Sequence, residues 1–305
     1  MKTEAATIAT SGSGLGAQAR AYLELSKPRI LAMVLITALL GYFLAKGDLQ
    51  PYLYVVYMLI GTGMASGGAG ALNHFIERDV DKRMDRTRRR PLPAGMVSPA
   101  AAAVFGTVLV LCGTALLYSQ VNPLAAALAF VSAWLYVFVY TPLKRVSWLN
   151  TPMGAIPGAI PPMIGWAAAS GRLDVGAWVL FFILFLWQHP HFYAIAWMFK
   201  ADYAKGGFKM LPVVKPDGKL TFQQSLAACI LLIPVSVWPT FVKMSGWLYF
   251  VGATAIGLWF LMACIRWRMS GTAIDARNVL RVSVIYLPLL LLLLIVDSIF
   301  FHRGM

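Results

Sequence analysis

From Pro91 to Leu143 the chain runs for 53 consecutive residues without an Asp, Glu, Lys or Arg. A soluble domain of this length would have to cover part of its surface with charge, so such a stretch argues against one. Only 12% of the residues are charged, about half the share in an average soluble domain. Glu77 to Arg90, in contrast, holds 11 charged residues in 14 positions. Charges gathered between long apolar runs predict an all-α, polytopic membrane protein.

Nine windows are apolar and long enough to cross a bilayer, which takes about 20 residues of helix. They cover 30–46, 52–75, 98–118, 123–141, 149–168, 176–199, 220–241, 246–265 and 282–301. The sequence therefore predicts a bundle of nine transmembrane helices, forming a single membrane domain over 23–305. Residues 1–22 are rich in Ala, Thr, Ser and Gly and lack the apolar core of a signal peptide, so we expect a disordered cytoplasmic leader there.

The formal net charge of +14 is distributed by side of the membrane. With the N-terminus in the cytoplasm, five segments hold 22 of the 26 Lys and Arg residues. These segments are the N-terminal tail, 76–97, 142–148, 200–219 and 266–281. Cytoplasmic loops carry such an excess in membrane proteins, which predicts a cytoplasmic N-terminus. Because topology accounts for the basic excess, we expect the lipid bilayer as a partner and no nucleic acid.

Four polar residues recur at every fourth position where the second window ends: Asn73, Glu77, Asp81 and Asp85. On a helix this spacing stacks the side chains along one face. Carboxylate and amide oxygens suit Mg²⁺, which proteins hold through one or two carboxylates together with substrate phosphates. A helix end with i,i+4 ion pairs is the alternative, but it explains Asn73 and Glu77 poorly because both lie in or near the apolar layer. We predict a magnesium site at Asn73, Glu77 and Asp81.

A basic run, Arg86 to Arg90, follows the acidic residues directly. Guanidinium groups bind phosphate oxygens in a multidentate way, and the neighbouring acids favour a metal–diphosphate site over topology alone as the explanation of this run. Two further basic pairs lie on the same predicted side. The predicted diphosphate-binding residues are Arg29, Arg86, Arg90, Lys144 and Arg145.

A second polar segment ends the sixth window, where His189 and His191 flank Pro190. Histidine in an apolar helix needs a partner; it could ligate a metal or haem iron, act as a base, or bond a neighbouring helix. Asp202 follows His191 by 11 residues, about three helical turns, which would place both on a similar face. We predict a second polar site at His191 and Asp202, with a purely structural role for the histidine left open.

These motifs, in this order, resemble the UbiA-type intramembrane prenyltransferases, over a range from about residue 25 to the last window. The family resemblance rests on Lys27-Pro28-Arg29, Asn73-x3-Glu77-x3-Asp81, Arg86-Thr87 and Arg90-Pro91-Leu92. A resemblance to the branch that farnesylates haem rests on Tyr140-Thr141-Pro142-Leu143-Lys144-Arg145, Gly158-Ala159-Ile160-Pro161-Pro162, His191-Phe192, Asp202-Tyr203 and Met210-Leu211-Pro212-Val213-Val214.

The resemblance implies a helical bundle with a lateral cavity capped by cytoplasmic loops. It implies transfer of the farnesyl group of farnesyl diphosphate to a vinyl group of haem b, giving haem O. By the same resemblance the cofactor is Mg²⁺ and the haem lies at His191. The catalytic residues it implies are Asn73, Glu77, Asp81, Lys144 and Asp202. The chain departs from the superfamily in its second acidic motif, which has Asp202 alone where paired aspartates are usual.

The resemblance also implies a subcellular location, the bacterial inner membrane, with the mitochondrial inner membrane as the alternative. It further implies association with haem A synthase. Two other functions stay open. A prenyltransferase of quinone biosynthesis would act on an aromatic acid, and would be expected to carry paired aspartates and no special histidine. An organic-anion transporter would place its coupling residues near the bilayer midplane rather than at one face.

Overall fold

A computed structural model describes residues 14–303, and all regular structure in that range is helical, as predicted. The helices are α1 (Leu15–Leu25), α2 (Pro28–Lys46), α3 (Tyr52–Asp81), α4 (Pro99–Gln120), α5 (Pro123–Trp134), α6 (Thr141–Val146), α7 (Asn150–Ala159), α8 (Pro161–Ser170), α9 (Val175–Met198), α10 (Lys200–Lys205), α11 (Leu211–Val214), α12 (Lys219–Phe241), α13 (Trp247–Ser270) and α14 (Ala273–Arg303). A π-helical segment, Leu135–Tyr140, joins α5 to α6 without a break.

Eight helices of the described range are long and apolar enough to cross a membrane, which confirms a polytopic membrane protein. They are Pro28–Lys46, Tyr52–Asp81, Pro99–Gln120, Pro123–Val146, Val175–Met198, Lys219–Phe241, Trp247–Ser270 and Ala273–Phe300. The predicted count of nine and the cytoplasmic N-terminus stay predictions.

The predicted window 149–168 departs from a single span, because it forms two ten-residue helices, α7 and α8, on either side of Ile160. Pro161 and Pro162 lack the backbone N–H that an α-helix needs to continue, but proline is well suited to a first helical turn. The proline pair therefore ends one helix and begins the next. Most of α8 is buried inside the bundle.

The sequence predicts a disordered leader up to residue 22, but α1 already begins at Leu15. The physical reason is burial: Ala21 and Leu25 pack against Ala71 of α3 and the start of α4 in a small apolar cluster. Residues 1–13 lie outside the described part of the chain.

Two apolar cores hold the bundle together. The larger is built mainly from α9, α12, α13 and α14 around the fully buried rings of Trp267, Tyr249, Tyr286 and Phe260. The second joins α2, α3, α5 and α8. The basic and acidic motifs lie at the end of the bundle where α2 begins and α3 ends.

Close contact between α2 and α8 depends on glycine. A Cβ added to Gly165 would overlap the carbonyl oxygen of Ala38, and one added to Gly41 would overlap that of Pro162. Small residues allow membrane helices to approach to backbone contact, which maximises dispersion contacts between them.

Gly165→Ala is therefore expected to lower the free energy of unfolding by about 3 kcal/mol, since α8 would have to move away from α2. Thermal unfolding of the purified protein in detergent measures this. Gly16→Ala is the matched control, because nothing lies within 4 Å of a Cβ at that position. Equal melting temperatures for the two variants would contradict the packing argument.

Candidate functional site

Helix α3 buries Asn73, Glu77 and Asp81, whose relative exposures are 1%, 3% and 0%. The helix extends past the predicted window to Asp81, so these three side chains share one face as the spacing predicted. The predicted fourth member does not join them. Because α3 ends at Asp81 and the chain continues in turns, Asp85 lies on the exposed loop that follows. We call Asn73, Glu77 and Asp81 the polar column.

Each member of the polar column has its own cation. Glu77 forms an ion pair with Lys144, and both side chains are almost completely buried. Arg90 donates from Nη1 to both carboxylate oxygens of Asp81, at 3.0 and 2.9 Å. Lys27 donates from Nζ to Oδ1 of Asn73 at 2.5 Å. Three basic side chains therefore face two carboxylates, an arrangement that suits a polyanionic ligand.

The π-helical segment brings several of these partners to α3. Its wider turn lets the carbonyl oxygen of Tyr136 accept from both the backbone N–H and the hydroxyl of Thr141, the latter at 2.7 Å. The Thr141 hydroxyl accepts in turn from Nδ2 of Asn73 at 2.9 Å. Lys144 lies three residues further, with Nζ 4.7 Å from the ring centre of Tyr140. Single π-helical turns are frequent at functional sites because they re-aim side chains in this way.

Lys27, rather than the predicted Arg29, reaches the polar column. Its Nζ also donates to the hydroxyl of Tyr136 at 2.9 Å, and removal from water lowers the pKa of its ammonium group to about 7, although Glu77 raises it. Lys27 has φ 54°, a left-handed conformation that is costly for a residue with a side chain. Arg29, exposed near the start of α2, makes no hydrogen bond or ion pair within 14–303. The motif Lys27-Pro28-Arg29 predicts a basic side chain near the polar column, but it does not indicate which of its two basic residues faces inward.

Two other predicted diphosphate ligands lie outside the column. Arg86 is exposed and donates from Nη2 to the Tyr203 hydroxyl at 3.0 Å. Arg145 is exposed and donates from Nη2 to the carbonyl oxygen of Ile76 at 3.2 Å. The structure thus brings Arg90 and Lys144 directly onto the polar column and leaves Arg86 and Arg145 at its rim.

Asp202 ties two loops together at the same end of the bundle. Its Oδ1 accepts from the backbone N–H of Asp85 at 2.8 Å. Lys205, one turn further along α10, forms an ion pair with Asp85 at 2.6 Å, and this hydrogen bond lowers the pKa of the Asp85 carboxyl. Asp202 therefore reaches the turns that follow the column rather than the column itself.

His191 is separate from Asp202, because α9 ends at Met198 and Asp202 belongs to the short helix α10. The predicted common face is therefore interrupted. His191 Nδ1 lies 2.8 Å from the hydroxyl oxygen of Ser283 on α14, and the imidazole stacks on Trp187 with ring centres 4.9 Å apart. Nothing in the sequence pattern singled out Ser283.

The polar column fits Mg²⁺ by the chemistry of its donors. Among residues 14–303, no group of three or more His, Cys, Asp or Glu side chains comes together as a metal site. Mg²⁺ needs fewer, because one or two carboxylates suffice when substrate phosphates and waters complete its shell. Two buried carboxylates and an amide oxygen beside three cations suit a magnesium–diphosphate pair better than a metal held by protein alone.

The chain is similar to known proteins over nearly its whole length. Residues 34–296 match the UbiA prenyltransferase family. A protein of Solibacter usitatus named protoheme IX farnesyltransferase is 46% identical over 287 residues, which cover 91% of this chain and 98% of that protein. The solved structure of a digeranylgeranylglyceryl phosphate synthase superposes with a TM-score of 0.79 at 19% identity, covering 92% of this chain and 99% of its own. A UbiA homologue from Archaeoglobus fulgidus bound to GPP and Mg²⁺ superposes with a TM-score of 0.65 at 15% identity, covering 90% and 99%.

Proposed function

The chain belongs to the UbiA prenyltransferase family, and from that premise we propose that it transfers the farnesyl group of farnesyl diphosphate to a vinyl group of haem b, giving haem O. The observation that carries the choice of substrates is the 46% identity, over nearly the whole chain, with a relative named protoheme IX farnesyltransferase. The polar column supports the same reaction class, because its cations suit a diphosphate leaving group.

In this proposal Lys144, Arg90 and Lys27 bind the diphosphate. All three lie against the polar column, where little water competes for their N–H groups. As the bond between the farnesyl C1 and the diphosphate oxygen breaks, negative charge grows on the leaving group, and preorganised cations stabilise that charge without rearranging. Arg86 and Arg145 add positive potential at the rim.

We include Mg²⁺ as the cofactor, held by Asn73, Glu77 and Asp81. When bound there, the ion would supply Lewis-acid stabilisation of the diphosphate. The donor chemistry of the column and the Mg²⁺ bound to the Archaeoglobus fulgidus homologue support this assignment. Asp202 supports the site indirectly, by holding the loop that follows the column.

The allylic carbocation that remains requires electron-rich walls that do not react with it. The rings of Tyr136 and Tyr140 lie 5.4 Å apart beside the column and can stabilise positive charge by cation–π contact. The haem vinyl group attacks the farnesyl C1, and water adds to the new cation with loss of a proton, leaving a hydroxyethylfarnesyl substituent. We assign His191 to the haem.

We further propose a bacterial inner membrane as the location, with the mitochondrial inner membrane as the alternative, and association with haem A synthase. The multi-pass fold and the bacterial source of the relatives support a bacterial membrane. Both substrates partition into lipid, which supports a membrane-embedded enzyme.

The test supplies purified protein with haem b, farnesyl diphosphate and Mg²⁺, and identifies products by mass. We expect haem O. Turnover of an aromatic acid in place of haem would favour quinone biosynthesis, and anion uptake into vesicles without chemistry would favour a transporter. The position of the acids and arginines at one end of the bundle argues against the transporter.

Removal of Mg²⁺ with EDTA is expected to abolish product formation. Without the ion, Lys144 and Arg90 would be occupied in neutralising Glu77 and Asp81, and would not be available to the diphosphate. Adding Mg²⁺ back should restore the rate, while the melting temperature in EDTA shows whether the protein is still folded. An unchanged rate in EDTA would contradict the magnesium assignment.

A further inference from the structure

The partners of His191 favour one of its two neutral tautomers. Ser283 donates its single hydroxyl hydrogen to the carbonyl oxygen of Leu280 at 2.7 Å, inside its own helix. Its oxygen lies 2.8 Å from His191 Nδ1 and therefore has only lone pairs to offer that nitrogen. With the Ser283 hydroxyl directed to Leu280, this geometry favours Nδ1 as the donor, which gives neutral His191 its hydrogen on Nδ1 and a lone pair on Nε2.

The Nε2 atom of His191 is free for a ligand, since it forms no hydrogen bond with any residue from 14 to 303. The imidazole is also held in orientation. Trp187 stacks on it and donates from Nε1 to the carbonyl oxygen of Ser283 at 2.8 Å. The Trp187–Ser283 bond joins α9 to α14, as does the contact of His191 with Ser283. An imidazole whose Nδ1–H is bonded and whose Nε2 is open is the usual arrangement of a metal-ligating histidine.

His191 is also accessible in a way that its neighbour His189 is not. His191 is half-buried and is followed by an exposed Phe192, whereas His189 is buried, with its Nδ1 2.7 Å from the Phe185 carbonyl oxygen. His191 precedes the end of α9 by seven residues, about 10 Å along the helix axis. An apolar macrocycle could therefore approach His191 from the membrane while remaining near the polar end of the bundle.

We propose that Nε2 of His191 is an axial ligand to the iron of the haem substrate, and that Ser283 is the positioning residue that fixes its tautomer and orientation. This inference rests on the proposed function, which supplies the haem. Histidine is a common protein ligand of haem iron, and loss of a hydrogen-bond partner behind a ligating histidine typically weakens metal binding 10- to 100-fold.

The experiment titrates ferric haem b into the purified full-length protein and records the absorption and EPR spectra. Wild type should show imidazole-ligated haem. His191→Ala should lose that signature and regain it when free imidazole is added. Ser283→Ala should weaken haem binding about 10- to 100-fold, and Ser283→Thr should retain it because the hydroxyl is kept. His189→Ala, the matched control, should bind as wild type does.

A wild-type spectrum in His191→Ala, or loss of the signature in His189→Ala, would overturn the ligation. Unchanged affinity in Ser283→Ala would overturn the positioning role. If His191→Ala fails to fold, as its melting temperature will show, the Ser283→Ala and Ser283→Thr pair decides the proposal. Product analysis distinguishes failure of the proposed function from failure of the ligation. Imidazole-ligated haem without formation of haem O would refute the proposed function alone. Formation of haem O together with a wild-type spectrum in His191→Ala would refute the ligation alone.

Discussion

Asp81→Asn is expected to lower the rate of farnesyl transfer by about 100- to 1,000-fold, the effect typical of losing one preorganised electrostatic group. Asp81 is completely buried, and both its oxygens accept from Arg90. The amide keeps the shape of the side chain but has one neutral oxygen in place of two charged ones, so it weakens the proposed binding of Mg²⁺ and loses the ion pair with the Arg90 guanidinium. Steady-state rates with haem b and farnesyl diphosphate give the measurement.

Asp79→Asn is the matched control, because Asp79 lies two residues earlier on the same helix and its side chain is 62% exposed. Its contacts are ion pairs with Arg78 and Lys82 at 3.7 Å, which contribute little at a surface. We expect a rate within about twofold of wild type, the range of ordinary surface changes. If both variants lost activity equally, the effect would belong to the helix end in general and not to the polar column.

Lys144→Gln is expected to lower both stability and activity. Glu77 would remain as a buried carboxylate without its partner, and breaking a buried pair from one side typically costs about 3–5 kcal/mol in free energy of unfolding. One of the cations proposed to bind the diphosphate would be lost at the same time. Thermal unfolding in detergent and the rate of product formation report the two effects separately.

The double variant Glu77→Gln with Lys144→Gln distinguishes the structural from the chemical role. With both charges removed, most of the lost stability should return, because no uncompensated charge is left in the interior. Activity should stay low, since neither the proposed magnesium ligand nor the proposed diphosphate cation is restored. Recovery of turnover together with stability would show that the pair serves folding only.

The fold class could be predicted because membrane insertion constrains the chain locally. Each span needs about 20 apolar residues whatever the rest of the chain does, so the run from Pro91 to Leu143 was informative alone. The break at Pro161 and Pro162 also has a local cause, yet the apolar character of 149–168 concealed it. Hydropathy is averaged over a window of residues, so it does not detect the two backbone N–H groups that the prolines lack.

The polar column could be predicted up to Asp81 because four-residue spacing is a property of one helix. Its end could not, since whether α3 continues to Asp85 depends on the turns that follow. The cations were predicted as a group from composition. Which of them face the acids depends on contacts between distant segments: 46 residues separate Lys27 from Asn73, and 109 separate it from Tyr136.

By itself the sequence determined an all-helical membrane protein and the members of its polar column, because these follow from hydropathy and periodicity within short segments. The magnesium and diphosphate ligands of the column stay predictions. Only the tertiary structure decided that Lys27 and not Arg29 reaches the column, and that Ser283 lies behind His191. The reason is physical. These side chains are oriented by the left-handed conformation of Lys27, the π-helical turn at Leu135–Tyr140 and the packing of α14 on α9. None of these three features produces a periodic pattern in the sequence.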